Sequence, residues 1–122
     1  MSIDIEQAVR TFMTACDQGQ DESKATEELR IKLIDEEYFE LIEAINWGDP
    51  VHIAKEAADL VYVAVGLCIT KGIPFNEVFA ALQVSNMSKV GPDGKVTKRD
   101  DGKVLKGEHY VEAEAAIKEI LR

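Results

Sequence analysis

Apolar positions along the chain recur every three or four residues, the spacing of one helix face, in four successive segments and again near the C-terminal end. The first segment predicts a helix over residues 2–18, with Ser2 as N-cap and Ile5, Val9, Phe12, Met13 and Cys16 on one face. The polar stretch Gln18-Gly19-Gln20-Asp21 is expected to end it. The second segment predicts a helix over 22–46 whose stripe is Ile34, Tyr38, Leu41 and Ile45, with Leu29, Leu33 and Ala44 alongside and Gly48 just past its end. Asp49-Pro50 then reads as an N-cap followed by proline at the first helical position, where its missing N–H costs nothing. The third helix therefore starts here and runs to residue 71, closed by Gly72 and Pro74. Within it, residues 60–69 are apolar all round and are expected to be buried on every side. A lone small bundle rarely hides a helix that completely, which points to a homo-oligomer, a dimer or tetramer, in which this helix also meets a neighbouring copy. A short fourth helix covers 75–88. Turn signals at Gly91-Pro92-Asp93-Gly94 and Asp100-Asp101-Gly102 then predict a small hairpin or ordered loop, and a last helix covers 111–121. The expected fold is all-α, of four-helix-bundle type, as a single domain over residues 1–122.

Charge narrows the function classes. The 23 Asp and Glu outnumber the 14 Lys and Arg, and the net charge of -9 argues against a nucleic-acid polymer as partner. The charge is also polarised, because residues 86–107 carry a net +3 from Lys89, Lys95, Lys98, Arg99, Lys103 and Lys106 against Asp93, Asp100 and Asp101. The two cysteines, Cys16 and Cys68, lie in unlike surroundings, so a disulfide framework is not expected and a reducing compartment is. The apolar run 60–69 is about half of what a membrane-spanning helix needs, and Met1-Ser2-Ile3-Asp4 lacks the basic start of a secretion signal. A cytoplasmic protein with no membrane partner is the expectation.

The informative chemistry lies in five acids. Glu36, Glu37 and Glu40 form E-E-x-x-E on the second helix, and Glu56 and Asp59 form E-x-x-D on the third. Helical spacing sets Glu37 and Glu40 in line with Leu33 and Ala44, and Glu56 in line with Ile53, Leu60, Val63 and Leu67, so the acids border the core. Burying ionised carboxylates together is costly unless they are protonated or share a cation. Solvated faces with ion pairs would account for Glu36 through Lys32 and for Asp59 through Lys55, but they leave Glu37, Glu40 and Glu56 without a Lys or Arg three or four positions away. A divalent metal accounts for all five. Oxygen-only ligands select a hard cation, Mg2+ or Mn2+. A di-iron bundle would place histidine where Glu40 and Asp59 stand, and zinc would want a Cys and His cluster.

E-E-x-x-E followed by E-x-x-D in an all-helical chain of this length resembles the all-α nucleoside triphosphate pyrophosphohydrolases, which include MazG-like enzymes, dimeric dUTPases and phosphoribosyl-ATP pyrophosphohydrolases. The runs Val84-Ser-Asn-Met-Ser-Lys89 and Asp101-Gly-Lys-Val-Leu-Lys-Gly107 are similar to a MazG-like subgroup. The resemblance implies a MazG-like fold and Mg2+-dependent hydrolysis of (deoxy)nucleoside triphosphates between the α and β phosphates, giving a monophosphate and pyrophosphate. It implies Glu37, Glu40, Glu56 and Asp59 as metal ligands, with Glu36 or Glu37 as the base and Glu37 the one favoured. It also implies Asn86, Lys89, Lys103 and Lys106 as the groups that hold sugar and phosphate oxygens. Nucleotide-pool house-cleaning is the implied role. Two other functions stay open, a phosphoribosyl-ATP pyrophosphohydrolase and a non-catalytic helical oligomerisation or nucleotide-binding module. Neither acid motif encodes a nucleobase preference.

Overall fold

The structure, a computed structural model, describes residues 2–19 and 21–122. It is all-helical, with α1 at Ile5–Ala15, α2 at Lys24–Trp47, α3 at Pro50–Thr70, α4 at Phe75–Met87 and α5 at Ala113–Ile120. The chain divides into two compact units, Met1–Phe75 and Asn76–Arg122. Among the described residues no single helix is long and apolar enough to cross a membrane.

In the first unit α3 is the middle helix, packed along α2 on one side and against α1 on the other. Its second side makes the core: Val9 and Met13 of α1 meet Val65 and Ile69 of α3, with Phe75 packed against them. The start of α1 differs from expectation. Asp4, not Ser2, is the N-cap, because its Oδ1 accepts the Gln7 N–H at 3.0 Å and satisfies a donor the helix leaves free. Of the apolar face expected on α1, Val9 and Met13 are buried, while Ile5, Phe12 and Cys16 are exposed. Phe12 instead sets its ring edge-on to Tyr62, centroids 5.8 Å apart. Gln20, within the stretch expected to end α1, lies outside the described residues.

Ser23 caps α2 by accepting the Thr26 N–H at 3.2 Å, and Asp21 holds both Ser23 and Thr26 in place. On α2 Arg30 and Ala44 are buried and Leu33, Ile34, Glu37 and Leu41 are half-buried, so of the expected stripe Ile34 and Leu41 are partly covered while Tyr38 and Ile45 are not. Tyr38 and Ile45 are more than half exposed, at 57% and 52%. The apolar side of α2 is wider than one neighbouring helix can cover, and α3 takes the edge that carries the acids. The all-round burial expected for residues 60–69 is likewise incomplete within one chain, since Val61 and Tyr62 remain exposed at 46% and 37%.

A two-residue connection joins α2 to α3. Gly48 adopts φ +90°, a left-handed conformation, and its N–H donates to the Ala44 carbonyl at 2.9 Å. Asp49 then accepts the Val51 N–H at 3.1 Å and Pro50 opens α3, as expected.

The second unit carries α4, the turn-rich segment and α5. The expected hairpin forms as an antiparallel bridge between Lys98 and Val104, with the Arg99 N–H donating to Lys103 O at 2.7 Å and the Leu105 N–H to Thr97 O at 2.8 Å. At its tip Asp101 accepts from Arg99 Nε at 2.9 Å and Nη2 at 2.6 Å. Ser88 ties the run before α5 to the end of α4, its Oγ accepting the Val111 N–H at 2.8 Å and donating to Ser85 O at 2.6 Å. Cys16 and Cys68 are free thiols.

Gly48→Ala tests the helix turn directly. Among the described residues nothing beyond its two chain neighbours lies within 4 Å of where the new Cβ would stand, so the cost is backbone strain alone. We expect a loss of about 1 kcal/mol in denaturant-induced unfolding, with an unchanged m-value.

Candidate functional site

The site is built from one turn of α2 and the first half of α3. Because the two helices run antiparallel across the Gly48 turn, the buried edge of α2 presents Glu37 to the face of α3 that carries Glu56 and Asp59. One carboxylate oxygen from each of these three residues lies within 4.8 Å of the other two. Glu56 is only 5% exposed. Two of the inward oxygens, Glu37 Oε2 and Glu56 Oε2, are buried without a hydrogen-bond partner among the described residues.

Such atoms are costly, since a buried acceptor left unpaired loses its hydration and gains nothing. The protein moderates the cost in two ways. Glu37 shifts its pKa up to about 7, first through burial and then through the charges of Glu40 and Asp59, a hydrogen bond with Glu40 and the charge of Glu56. Protons are thus held where negative charge is crowded. On the outer side Lys55 reaches Asp59 Oδ2 at 2.6 Å and Glu56 Oε1 at 3.5 Å, and His52 Nε2 stands 3.5 Å from the same Glu56 oxygen. No Lys or Arg stands three or four positions from Glu56, but the adjacent Lys55 and His52 one turn earlier both reach the same carboxylate.

The basic groups cover the outer oxygens and leave the inner ones bare. Oxygen donors only, convergent from two rigid helices, with two orphaned buried lone-pair sites, fit a hard divalent cation. Glu37, Glu56 and Asp59 are the residues that could hold it. Glu40 is exposed and lies outside this three-acid group, yet it hydrogen-bonds Glu37 and belongs to the same electrostatic unit. Glu36 is exposed and stands apart from the group, and among the described residues no ion pair joins it to Lys32.

In the C-terminal unit Asn86 occupies the last turn of α4, exposed, with its carbonyl accepting the Lys89 N–H at 3.1 Å. Lys89, Lys103 and Lys106 line one groove of about 490 Å3, so the fold brings these three lysines together. Lys106 also lies over the Tyr110 ring, 5.0 Å from its centroid.

Sequence reasoning passed over Arg30. It is 5% exposed, its Nε lacks a partner among the described residues, and Gly66 of α3 leaves the room its guanidinium occupies: a Cβ at Gly66 would stand 2.7 Å from Nη1. The available signal was position, seven residues before Glu37 on the same edge of α2.

Comparison with known families matches residues 7–86 to the model described as phosphoribosyl-ATP pyrophosphohydrolase. Comparison with curated proteins gave no match. The matched stretch contains all five acids, and the turn-rich segment follows it.

The raised Glu37 pKa sets the sign of a pH effect. Its folded value lies above the 4.5 of the free side chain, so the folded state binds the extra proton. The stabilising contribution is present below about pH 4.5 and is lost as pH rises through about 7. With a chelator present, the melting temperature should therefore fall between pH 5 and pH 8, and Glu37→Gln should flatten that fall. Millimolar Mg2+ should restore stability at pH 8 in the parent and not in Glu56→Gln, as thermal melts would record.

Proposed function

Because the chain belongs to the phosphoribosyl-ATP pyrophosphohydrolase family, we propose that it hydrolyses (deoxy)nucleoside triphosphates to the nucleoside monophosphate and pyrophosphate. The observation that carries this reading is the convergence of Glu37, Glu56 and Asp59 with two unpaired inward oxygens. Membership supplies the reaction class, pyrophosphohydrolysis of a nucleotide.

Glu37, Glu40, Glu56 and Asp59 would hold Mg2+, with Mn2+ as a substitute. When bound, the cation neutralises phosphate charge and makes water a better nucleophile. The chain's own groups do the rest. Glu37 takes the proton of the attacking water, and Glu36 is the alternative base. Lys55 and His52 fix the outer side of Glu56 and so aim its free oxygen inward. Asn86, Lys89, Lys103 and Lys106 bind sugar and phosphate oxygens, the ammonium groups acting as point charges. The role is house-cleaning of a cytoplasmic nucleotide pool. The exposed apolar edges at Tyr38, Ile45, Val61 and Tyr62 support a homodimer or homotetramer, because a second copy would cover them.

Phosphoribosyl-ATP is the second substrate to test, on the description of the matching family. Phosphorus NMR of products from Mg2+ with a panel of nucleoside triphosphates and phosphoribosyl-ATP separates the two. Pyrophosphate released from triphosphates supports the proposal, turnover of phosphoribosyl-ATP alone replaces the substrate, and orthophosphate as the first product would overturn cleavage at the α phosphorus. Glu40→Gln and Glu56→Gln should each cut turnover at least about a hundredfold with circular dichroism unchanged.

A further inference from the structure

The C-terminal unit holds a second concavity that the lysine groove does not absorb, and its chemistry bears on nucleobase choice, an inference that rests on the nucleotide pyrophosphohydrolase reading above. The two depressions share Lys89 as a common wall. The first, with Lys103 and Lys106, is cationic and suits a polyphosphate. The second, of about 230 Å3, has Lys95 in its wall beside Pro92, Val96, Thr97, Glu108 and His109, so polar groups line it at least as much as apolar ones. Pro92 and Val96 supply its apolar patch. A nucleobase carries the same mixture, a flat apolar face with a polar edge.

Glu108 gives the pocket a direction of choice. Asp93, the other acid lining it, is engaged, its Oδ1 accepting the Lys95 N–H at 3.0 Å. Among the described residues Glu108 has neither an ion pair nor a hydrogen bond. An ionised carboxylate only accepts. It pairs with an exocyclic amino group and opposes a carbonyl oxygen placed at the same point, lone pair against lone pair. The pocket also lies beyond residue 86, outside the stretch matched to the family and its acids, where a feature particular to this chain's substrate can differ freely.

We infer that this pocket receives the nucleobase and that Glu108 selects bases bearing an exocyclic amino group, cytosine, adenine or guanine, over uracil and thymine. Pro92 and Val96 face the ring, and Thr97 and His109 meet its polar edge.

Cytosine and uracil differ at the discriminating edge, so CTP and UTP with Mg2+ are the kinetic probes. The parent should favour CTP by at least about tenfold in kcat/KM, with the difference in KM. Glu108→Gln should bring the two within about threefold, since an amide both donates and accepts. Equal use of CTP and UTP by the parent, or a preference that Glu108→Gln leaves intact, overturns the inference. NMR titration of the full chain with CMP and UMP separates the pocket from the reaction. CMP should shift the amides of Thr97, Glu108 and His109 more than UMP does. If CMP moves none of them, the pocket is excluded even for an active enzyme. Shifts without hydrolysis of any nucleotide would instead sink the proposed reaction and leave the pocket standing.

Discussion

Mutual repulsion of carboxylates is the constraint around which the first unit is organised. Three carboxylate oxygens from two helices converge within 4.8 Å. At an effective dielectric near 20, each fully ionised pair at such a distance is unfavourable by on the order of 3 kcal/mol. The opposing forces lie elsewhere on the same helices. α3 is anchored on its far side by Val65 and Ile69 against Val9 and Met13, and it is tied to α2 by the Gly48 turn. Apolar packing thus holds α3 against a repulsion that would otherwise spread the hairpin. Lys55, His52 and the proton on Glu37 relieve part of that repulsion without filling the inner side.

The same arrangement explains how charge is distributed over the chain. The acids occupy rigid helical positions, where side chains are aimed by backbone geometry. The lysines sit on turns and on a short hairpin, pinned by Ser88 and by Arg99 with Asp101. Metal ligation needs oxygens placed to a fraction of an ångström, whereas an ammonium group on a long stem adapts to a phosphate as a point charge.

Much of this was legible from residue order. Asp49-Pro50, Gly48 and the two turn signals fixed the ends of α2 and α3 and the hairpin, because each acts through local backbone chemistry. The E-x-x-D spacing put Glu56 and Asp59 on one face of α3, and the structure brings Glu37 to them. What was illegible depended on which neighbour an apolar edge meets. The side of α2 around Tyr38 and Ile45 is as apolar as the side α3 covers, and periodicity ranks neither. Ser2 and Asp4 are both good caps, and only the onset of helical geometry chooses between them. Arg30 escaped notice because its burial comes from Gly66 on α3, more than thirty residues away in sequence.

The brevity of the Gly48-Asp49 connection has an evolutionary consequence. With no slack between α2 and α3, inserting or deleting one residue there would turn α3 by about 100° relative to its partner and carry Glu56 and Asp59 off the shared face. Homologous chains can be expected to keep the length of this turn fixed while the stretch after α4 varies in length, so an alignment gap between α2 and α3 would mark a sequence that has lost the chemistry even where every acid is retained.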